Sequence, residues 1–299
     1  MTTQRQPPTA LTIAGSDSGG GAGLQADLTT FAALGVHGAS AVTAITVQDT
    51  TGVHGIHLVP TGVVLAQVEC VVADLHPAAV KIGMLGEAVV AVALGRIAAT
   101  GRLPRLVIDP VVASTSGHSL AGDGVADALR QHLLPHATLI TPNADEAAAL
   151  LGTSPADTVD EQAAQAGALL ALGARAAVIT GVRAQTRGRA DRVDILADAT
   201  GTHVFRSPEI DTLNDHGTGC TFASAAAAFL ARGEELPDAV LSARAFVRHA
   251  LRRAAPWRQG RGRGPVAHTS TAFFGPRSGD RPLFDPTTTT ATATTRSLP

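Results

Sequence analysis

Short β-branched runs alternate with Ala/Leu-rich stretches of helical length from Ala10 to about His268, and this alternation constrains the chain more than any other feature. It predicts an α/β fold with a mostly parallel sheet covered by helices on both faces. Strands are expected at 10–14, 40–46, 55–59, 78–82, 105–109, 138–140, 176–180, 193–197 and 203–205. Several are continuous apolar runs, as strands buried on both faces should be. Helices are expected at 22–34, 63–75, 87–99, 125–131, 144–151, 161–172, 219–231 and 237–253, mostly ending near Gly or Pro. No Pro/Ser linker or repeat divides this region, so a single domain over 10–268 is the simplest organisation. Residues 1–9 read as a flexible N-terminus, and 269–299, with its Thr and Pro bias, as a disordered tail that cannot build a core.

The composition closes several routes. Every basic residue except Lys81 is arginine. Lys81 lies in Ala79-Val80-Lys81-Ile82-Gly83 and cannot complete a P-loop, which needs glycine before the lysine and a hydroxyl after it. The two cysteines, Cys70 and Cys220, cannot make a disulfide scaffold or a Cys-rich zinc site, which points to a reducing, cytoplasmic setting. No apolar run approaches the ~18 residues of a membrane span, and the polar N-terminus carries no export signal. A net charge of −2 and 3% aromatic residues argue against a nucleic-acid partner.

Four segments could carry chemistry. The loop Gly15-Ser16-Asp17-Ser18-Gly19-Gly20-Gly21-Ala22-Gly23 follows the first strand and opens a helix, offering unpaired backbone N–H groups where α/β sheets bind ligands. Its polar neighbours Asp17, Gln25 and Asp27 favour a ligand-facing role over a simple turn. Asn214-Asp215-His216-Gly217-Thr218-Gly219-Cys220-Thr221 precedes an alanine-rich helix whose first-turn amides and dipole make an anion hole. Backbone amides at Gly217, Thr218 and Gly219 can stabilise a transferring phosphoryl group without a P-loop lysine. Cys220 in that first turn is expected to have a thiol pKa lowered toward thiolate, whereas Cys70 reads as a core residue. In Thr141-Pro142-Asn143-Ala144-Asp145-Glu146, Asn143 and Glu146 can form a helix-capping box or orient a hydrated magnesium ion, and spacing does not choose. Asp109 ends a strand where ionisable side chains reach ligands. His132 and His136 are separated by helix-breaking Pro135, which disfavours a metal pair. Arg244, Arg248 and Arg252 form a stripe expected to be a solvated helix face.

Together these motifs resemble the hydroxymethylpyrimidine and phosphomethylpyrimidine kinases of thiamine biosynthesis, within the ribokinase-like superfamily. The resemblance rests on Leu11-Thr12-Ile13-Ala14-Gly15-Ser16-Asp17 with 20–27, Lys81-Ile82-Gly83-Met84-Leu85, Ile140-Thr141-Pro142-Asn143 with Glu146-Ala147, His216 to Thr221, and Gly264-Pro265-Val266. It implies a three-layer α/β/α fold, a homodimer, and ATP with Mg²⁺ as cofactors. The pyrimidine would lie near Gly15, Asp27, Gln48, Met84 and Val111. ATP would meet Asn143, Glu146 and Thr180, with Glu146 and Asp109 as metal ligands and Cys220 as the base. Two departures stand out: relatives often carry lysine where this chain has Thr180, for which Arg183 or Arg187 would have to substitute, and Asp215 brings a negative charge to the phosphate site. A pyridoxine/pyridoxal kinase and a non-catalytic pyrimidine-binding protein are the alternatives.

Overall fold

The computed structural model describes residues 6–111, 122–186 and 189–268. The expected tail at 269–299, most of the N-terminal segment and Arg187 lie outside the described residues. Nine strands form one sheet: β1 (Thr9–Asp17), β2 (His37–Asp49), β3 (Gly52–Leu58), β4 (Ala79–Ile82), β5 (Leu106–Ile108), β6 (Leu139–Ile140), β7 (Ala176–Thr186), β8 (Arg189–Asp198) and β9 (Gly201–Pro208). Their order is β3-β2-β1-β4-β5-β6-β7-β8-β9. The block from β2 to β7 is parallel, while β3 at one edge and the β8–β9 hairpin at the other are antiparallel additions.

The central strands β4, β5 and β6 are short and buried on both faces, with every residue enclosed. One face is covered by α2 (Thr61–Leu75), α3 (Ala88–Ala99), α4 (Val125–Ala128), α5 (Ala144–Leu151) and α6 (Val159–Ala171), whose apolar residues join those of β1, β4 and β5 in one core. The opposite face is covered by α1 (Gly23–Ala33), α7 (Thr218–Ala231) and α8 (Leu236–Ala254) in a second core. Every residue of α7 from Thr221 to Ala231 is buried. Its run of alanines lets the helix lie between the sheet, α1 and α8, a place that larger side chains would not allow. The chain leaves β1 to opposite sides of the sheet through α1 and, after β3, through α2. That makes the carboxyl ends of β1 and β4 the switch point where α/β sheets open a crevice.

The structure departs from the sequence expectation in several places. β1 continues past Ala14 to Asp17 through a bulge, so the first glycine segment is partly strand. β2, β7, β8 and β9 are longer than their apolar runs because antiparallel ladder pairing carries polar residues into the sheet edge. The helix expected at 125–131 stays α-helical only to Ala128, then widens into a π turn at Leu129–Leu133 and a 3₁₀ turn at Leu134–His136 containing Pro135. Cys70 is exposed on α2, not in the core. The arginine stripe is not simply solvated: Arg244 binds Asp194 at 2.6 Å and Ser207 and stacks on Phe205, and Arg248 donates to the Pro208 carbonyl. Among the described residues no helix is long and apolar enough to cross a membrane.

Two helical glycines test this packing. A Cβ at buried Gly95 of α3 would lie 2.5 Å from the His132 carbonyl oxygen, while one at Gly167 of α6 meets nothing within 4 Å. Gly95→Ala is therefore expected to destabilise by roughly 1–3 kcal/mol through overpacking. Gly167→Ala should stabilise by up to about 1 kcal/mol through helix propensity, both measured by urea denaturation.

Candidate active site

The segments singled out above meet at the carboxyl ends of β1, β4, β5, β6 and β7. Gly217 caps α7 with φ +81°, a conformation that glycine adopts without strain. A Cβ there would sit 1.9 Å from the Gly21 oxygen, so the two glycine segments touch backbone to backbone. His216 N–H donates to the Gly264 carbonyl at 3.0 Å, which ties the Gly264-Pro265-Val266 segment to the same place. The start of α7 presents Thr218, Gly219 and Cys220 in its first turn, where a helix offers N–H groups and the positive end of its dipole.

Beneath this turn lies a buried ionic layer. Lys81 on β4 is fully enclosed, and its Nζ lies 3.0 Å from both oxygens of Asp27 and 3.5 Å from Asp109 Oδ2. Asp27 also accepts the Thr12 hydroxyl at 2.6 Å and the Ser224 hydroxyl at 2.5 Å. Burial opposes a charge on Lys81, but Asp27, Cys220 and Asp109 together hold it well above the ordinary lysine range. Asp27, expected beside the pyrimidine, is 0% exposed, and its two oxygens are engaged by Lys81, Thr12 and Ser224. Asp109 and the Gly23 N–H are close enough to the Cys220 thiol to act on its charge.

Cys220 thus departs from the expected low pKa. Burial pushes the thiol up; Lys81 pulls it down, but Asp109 and Asp27 push it further up. The helix N-terminus alone does not decide the ionisation, because two carboxylates share the same enclosed space.

The expected substrate residues are divided in their fates. Met84 packs over Gly15, its sulfur 3.0 Å from where a Gly15 Cβ would stand, and Val111 follows Asp109, whose carbonyl accepts its N–H. Gln48, half-buried near the end of β2, has its carboxamide 3.2 Å from His216 Nε2. Asp17 gathers the first glycine loop: its carboxylate accepts from the amides of Gly19, Gly21 and Ala22 at 2.8, 3.0 and 2.8 Å. Those amides, expected to be free for an anion, are therefore satisfied internally. Despite burial, His216 and the Ala22 and Gly19 amides keep Asp17 below the ordinary carboxylate range.

On the nucleotide side, Asn143 and Glu146 form a complete capping box: Glu146 N–H donates to Asn143 Oδ1 and Asn143 N–H to Glu146 Oε2, both at 2.9 Å. Glu146 nonetheless faces inward, and burial together with the charge of Asp109 pushes its pKa up to about 8. Thr180 bridges to Asn143 through its N–H, which donates to the Pro142 carbonyl. Arg183, a possible stand-in for the missing lysine, is exposed and paired with Glu209. The charge of Asp215 is balanced by Arg263, which donates Nε to Asp215 Oδ1 at 2.7 Å, so no metal is needed to balance it. Sequence reasoning missed the ionic role of Lys81 and the roles of Thr12 and Ser224. A single lysine between Val80 and Ile82 in an apolar strand was the available signal, since a buried lysine requires a partner.

Comparison with known proteins agrees with this geometry. A family model described as phosphomethylpyrimidine kinase matches residues 17–267. A hydroxymethylpyrimidine/phosphomethylpyrimidine kinase from Rhizobium meliloti is 46% identical over 263 residues, covering 87% of this chain and 96% of the relative. Among solved structures, the phosphomethylpyrimidine kinase of Clostridium difficile superposes with a TM-score of 0.70 at 35% identity, covering 82% of this chain and 99% of that one. Bacillus subtilis pyridoxal kinase, solved as an ADP complex, gives 0.78 at 35% identity, covering 88% and 97%. With the family's motifs gathered around the first turn of α7, the chain belongs to the phosphomethylpyrimidine kinase family.

Proposed function

We propose that this enzyme transfers the γ-phosphoryl group of ATP to the hydroxymethyl group of 4-amino-5-hydroxymethyl-2-methylpyrimidine, and then a second phosphoryl group to the monophosphate, in thiamine biosynthesis. The observation that carries this reading is the first turn of α7, with Gly217 packed on Gly21 and Cys220 beside it, in a chain of this family. The pyrimidine is assigned to the space bordered by Gly15, Gln48, Met84 and Val111. A carboxamide at Gln48 offers the donor and acceptor that an aminopyrimidine edge requires. Residues 10–268 are taken as the catalytic unit, and the two free cysteines favour a cytoplasmic setting.

The chemistry asks for in-line attack and charge stabilisation. The amides of Gly219 and Cys220 hold the transferring group, the Thr218 N–H being donated to the Asp215 carbonyl at 3.2 Å. The hydroxymethyl oxygen forms its bond to the γ-phosphorus as the bond to the bridging oxygen breaks, and its proton passes to the Cys220 thiolate. Lys81 is the cation that favours this thiolate against Asp109, Asp27 and burial. Asn143, Glu146 and Thr180 border the ATP side. Asp109 and Glu146 fit a magnesium ion: both carboxylates are enclosed, Asp109 raises the pKa of Glu146, and Asp109 Oδ2 lacks a hydrogen-bond partner among the described residues. When bound, magnesium would neutralise charge on the ATP phosphates.

Pyridoxal kinase activity is the second reading, favoured by the fold shared with Bacillus subtilis pyridoxal kinase. ADP release with hydroxymethylpyrimidine, its monophosphate and pyridoxal as parallel acceptors tests the proposal. Release with both pyrimidines is expected; release with pyridoxal alone would overturn the substrate assignment, and none would leave a binding protein. In the same assay Cys220→Ala should lose at least about 10²-fold in kcat, the scale of general-base catalysis, with ATP binding retained. Because the thiol pKa is raised, wild-type kcat/KM should climb with pH across the neutral range as the thiolate fraction grows. A flat profile would contradict the assigned base.

A homodimer through the β2–β3 edge is also proposed. Ile45, Val47, Ile56 and Leu58 of this hairpin are exposed large apolar side chains at a sheet edge. Sedimentation equilibrium should find a dimer that Ile56→Asp dissociates; a wild-type monomer at micromolar concentration would contradict it.

A further inference from the structure

His216 belongs to the anion-hole motif by sequence, yet its ring links Asp17 to Gln48 in a chain of side chains. Its Nε2 lies 3.2 Å from Asp17 Oδ2 and 3.2 Å from the Gln48 carboxamide. A ring nitrogen can serve both neighbours in only one way. Asp17 is an ionised acceptor, fixed by the three loop amides, so Nε2 must carry the proton that it donates to Asp17. A nitrogen that carries a proton cannot accept from the Gln48 amide, and the carboxamide must turn its oxygen toward the ring. The two ends of a carboxamide have the same shape, and their partners distinguish them. The other end then lies 3.1 Å from the Thr46 hydroxyl. That hydroxyl is free to accept, because its own proton goes to the Ser16 carbonyl at 2.8 Å. Every donor in the chain from Asp17 through His216 and Gln48 to Thr46 and Ser16 now meets an acceptor.

We infer that Asp17 and His216 are positioning residues that fix which end of the Gln48 carboxamide faces the pyrimidine, and so set the preference for an aminopyrimidine over other flat nitrogen heterocycles. The inference rests on the assignment of Gln48 to the substrate site. Held this way, Gln48 keeps one N–H to give and an oxygen lone pair to share, matching a ring nitrogen beside an exocyclic amine. A pyridine ring with an adjacent phenolic oxygen presents a different pattern and gains nothing from the fixed orientation. The ring of His216 also lies against Gly21, where a Cβ would stand 2.5 Å from His216 Cδ2, so the imidazole cannot swing out toward that loop.

The variant that isolates the N–H is His216→Phe, which keeps a flat ring against Gly21 and removes the donor. His216→Gln keeps a donor and serves as the conservative rescue. With hydroxymethylpyrimidine as acceptor, His216→Phe should raise the acceptor KM about 3- to 10-fold, the scale of one lost hydrogen bond, with the ATP KM and the melting temperature nearly unchanged. His216→Gln should recover part of the loss. The preference for hydroxymethylpyrimidine over pyridoxal should narrow in His216→Phe. The decisive readout is a double-mutant cycle with Gln48→Ala. If His216 acts through Gln48, the double variant has the same acceptor KM as Gln48→Ala alone. Effects that multiply would overturn the inference while leaving the substrate site in place. A Gln48→Ala enzyme with wild-type acceptor KM would instead overturn the assignment of the substrate site itself.

Discussion

Everything at this site stands on the pairing of Lys81 with Asp27 and Asp109. With Glu146 close enough to feel the charge of Asp109, two carboxylates, those of Asp27 and Asp109, and the Cys220 thiol surround one enclosed ammonium group. Without it, Asp27 would be a buried anion with only the hydroxyls of Thr12 and Ser224 for company, and burial of an unpaired charge is costly. With it, β4, β1, α1 and α7 are tied together directly below the position assigned to the phosphoryl group. The lysine absent at Thr180 and the lysine present at position 81 therefore do different work: the former would reach ATP from outside, whereas the latter steadies the floor.

Above that floor, close backbone contact does the positioning. Gly217 against Gly21 brings two sequence-distant segments together and Gly23 against Gly15 folds the first loop on itself, in both cases leaving no room for even a methyl group. Asp17 satisfies the first loop internally and hands its remaining hydrogen-bonding capacity to His216. The anion hole and heterocycle pocket proposed above would thus share one scaffold, the former made by main chain and the latter by side chains.

Much of this was legible in the sequence. The alternating pattern fixed the fold class, and the segment from His216 to Thr221 pointed to the anion hole because glycines before an alanine-rich helix leave amides exposed. What was not legible depended on tertiary neighbours. The position of Cys220 in a first helical turn suggests a lowered pKa, but Asp109 and Asp27, 111 and 193 residues earlier in the chain, reverse the balance. Asp27 stood out in the sequence because it is polar and near glycines; its pairing with Lys81 at 3.0 Å depends on a residue 54 positions away and could not be read there. The capping box of Asn143 and Glu146 formed as spacing allows, yet the inward aim of Glu146 toward Asp109 came from the sheet. The extended β8–β9 ladder escaped because ladder pairing, rather than apolar pattern, sets its length.

The claim that the Lys81 ion pair underlies the site is tested most directly by comparing the unfolding free energies of Lys81→Met and of Lys81→Met/Asp27→Asn with wild type. Leaving a carboxylate buried without its cation should cost roughly 3–5 kcal/mol in the single variant, and neutralising Asp27 in the double variant should restore a large part of it. A single variant as stable as wild type, or a double variant no more stable than the single, would contradict the account.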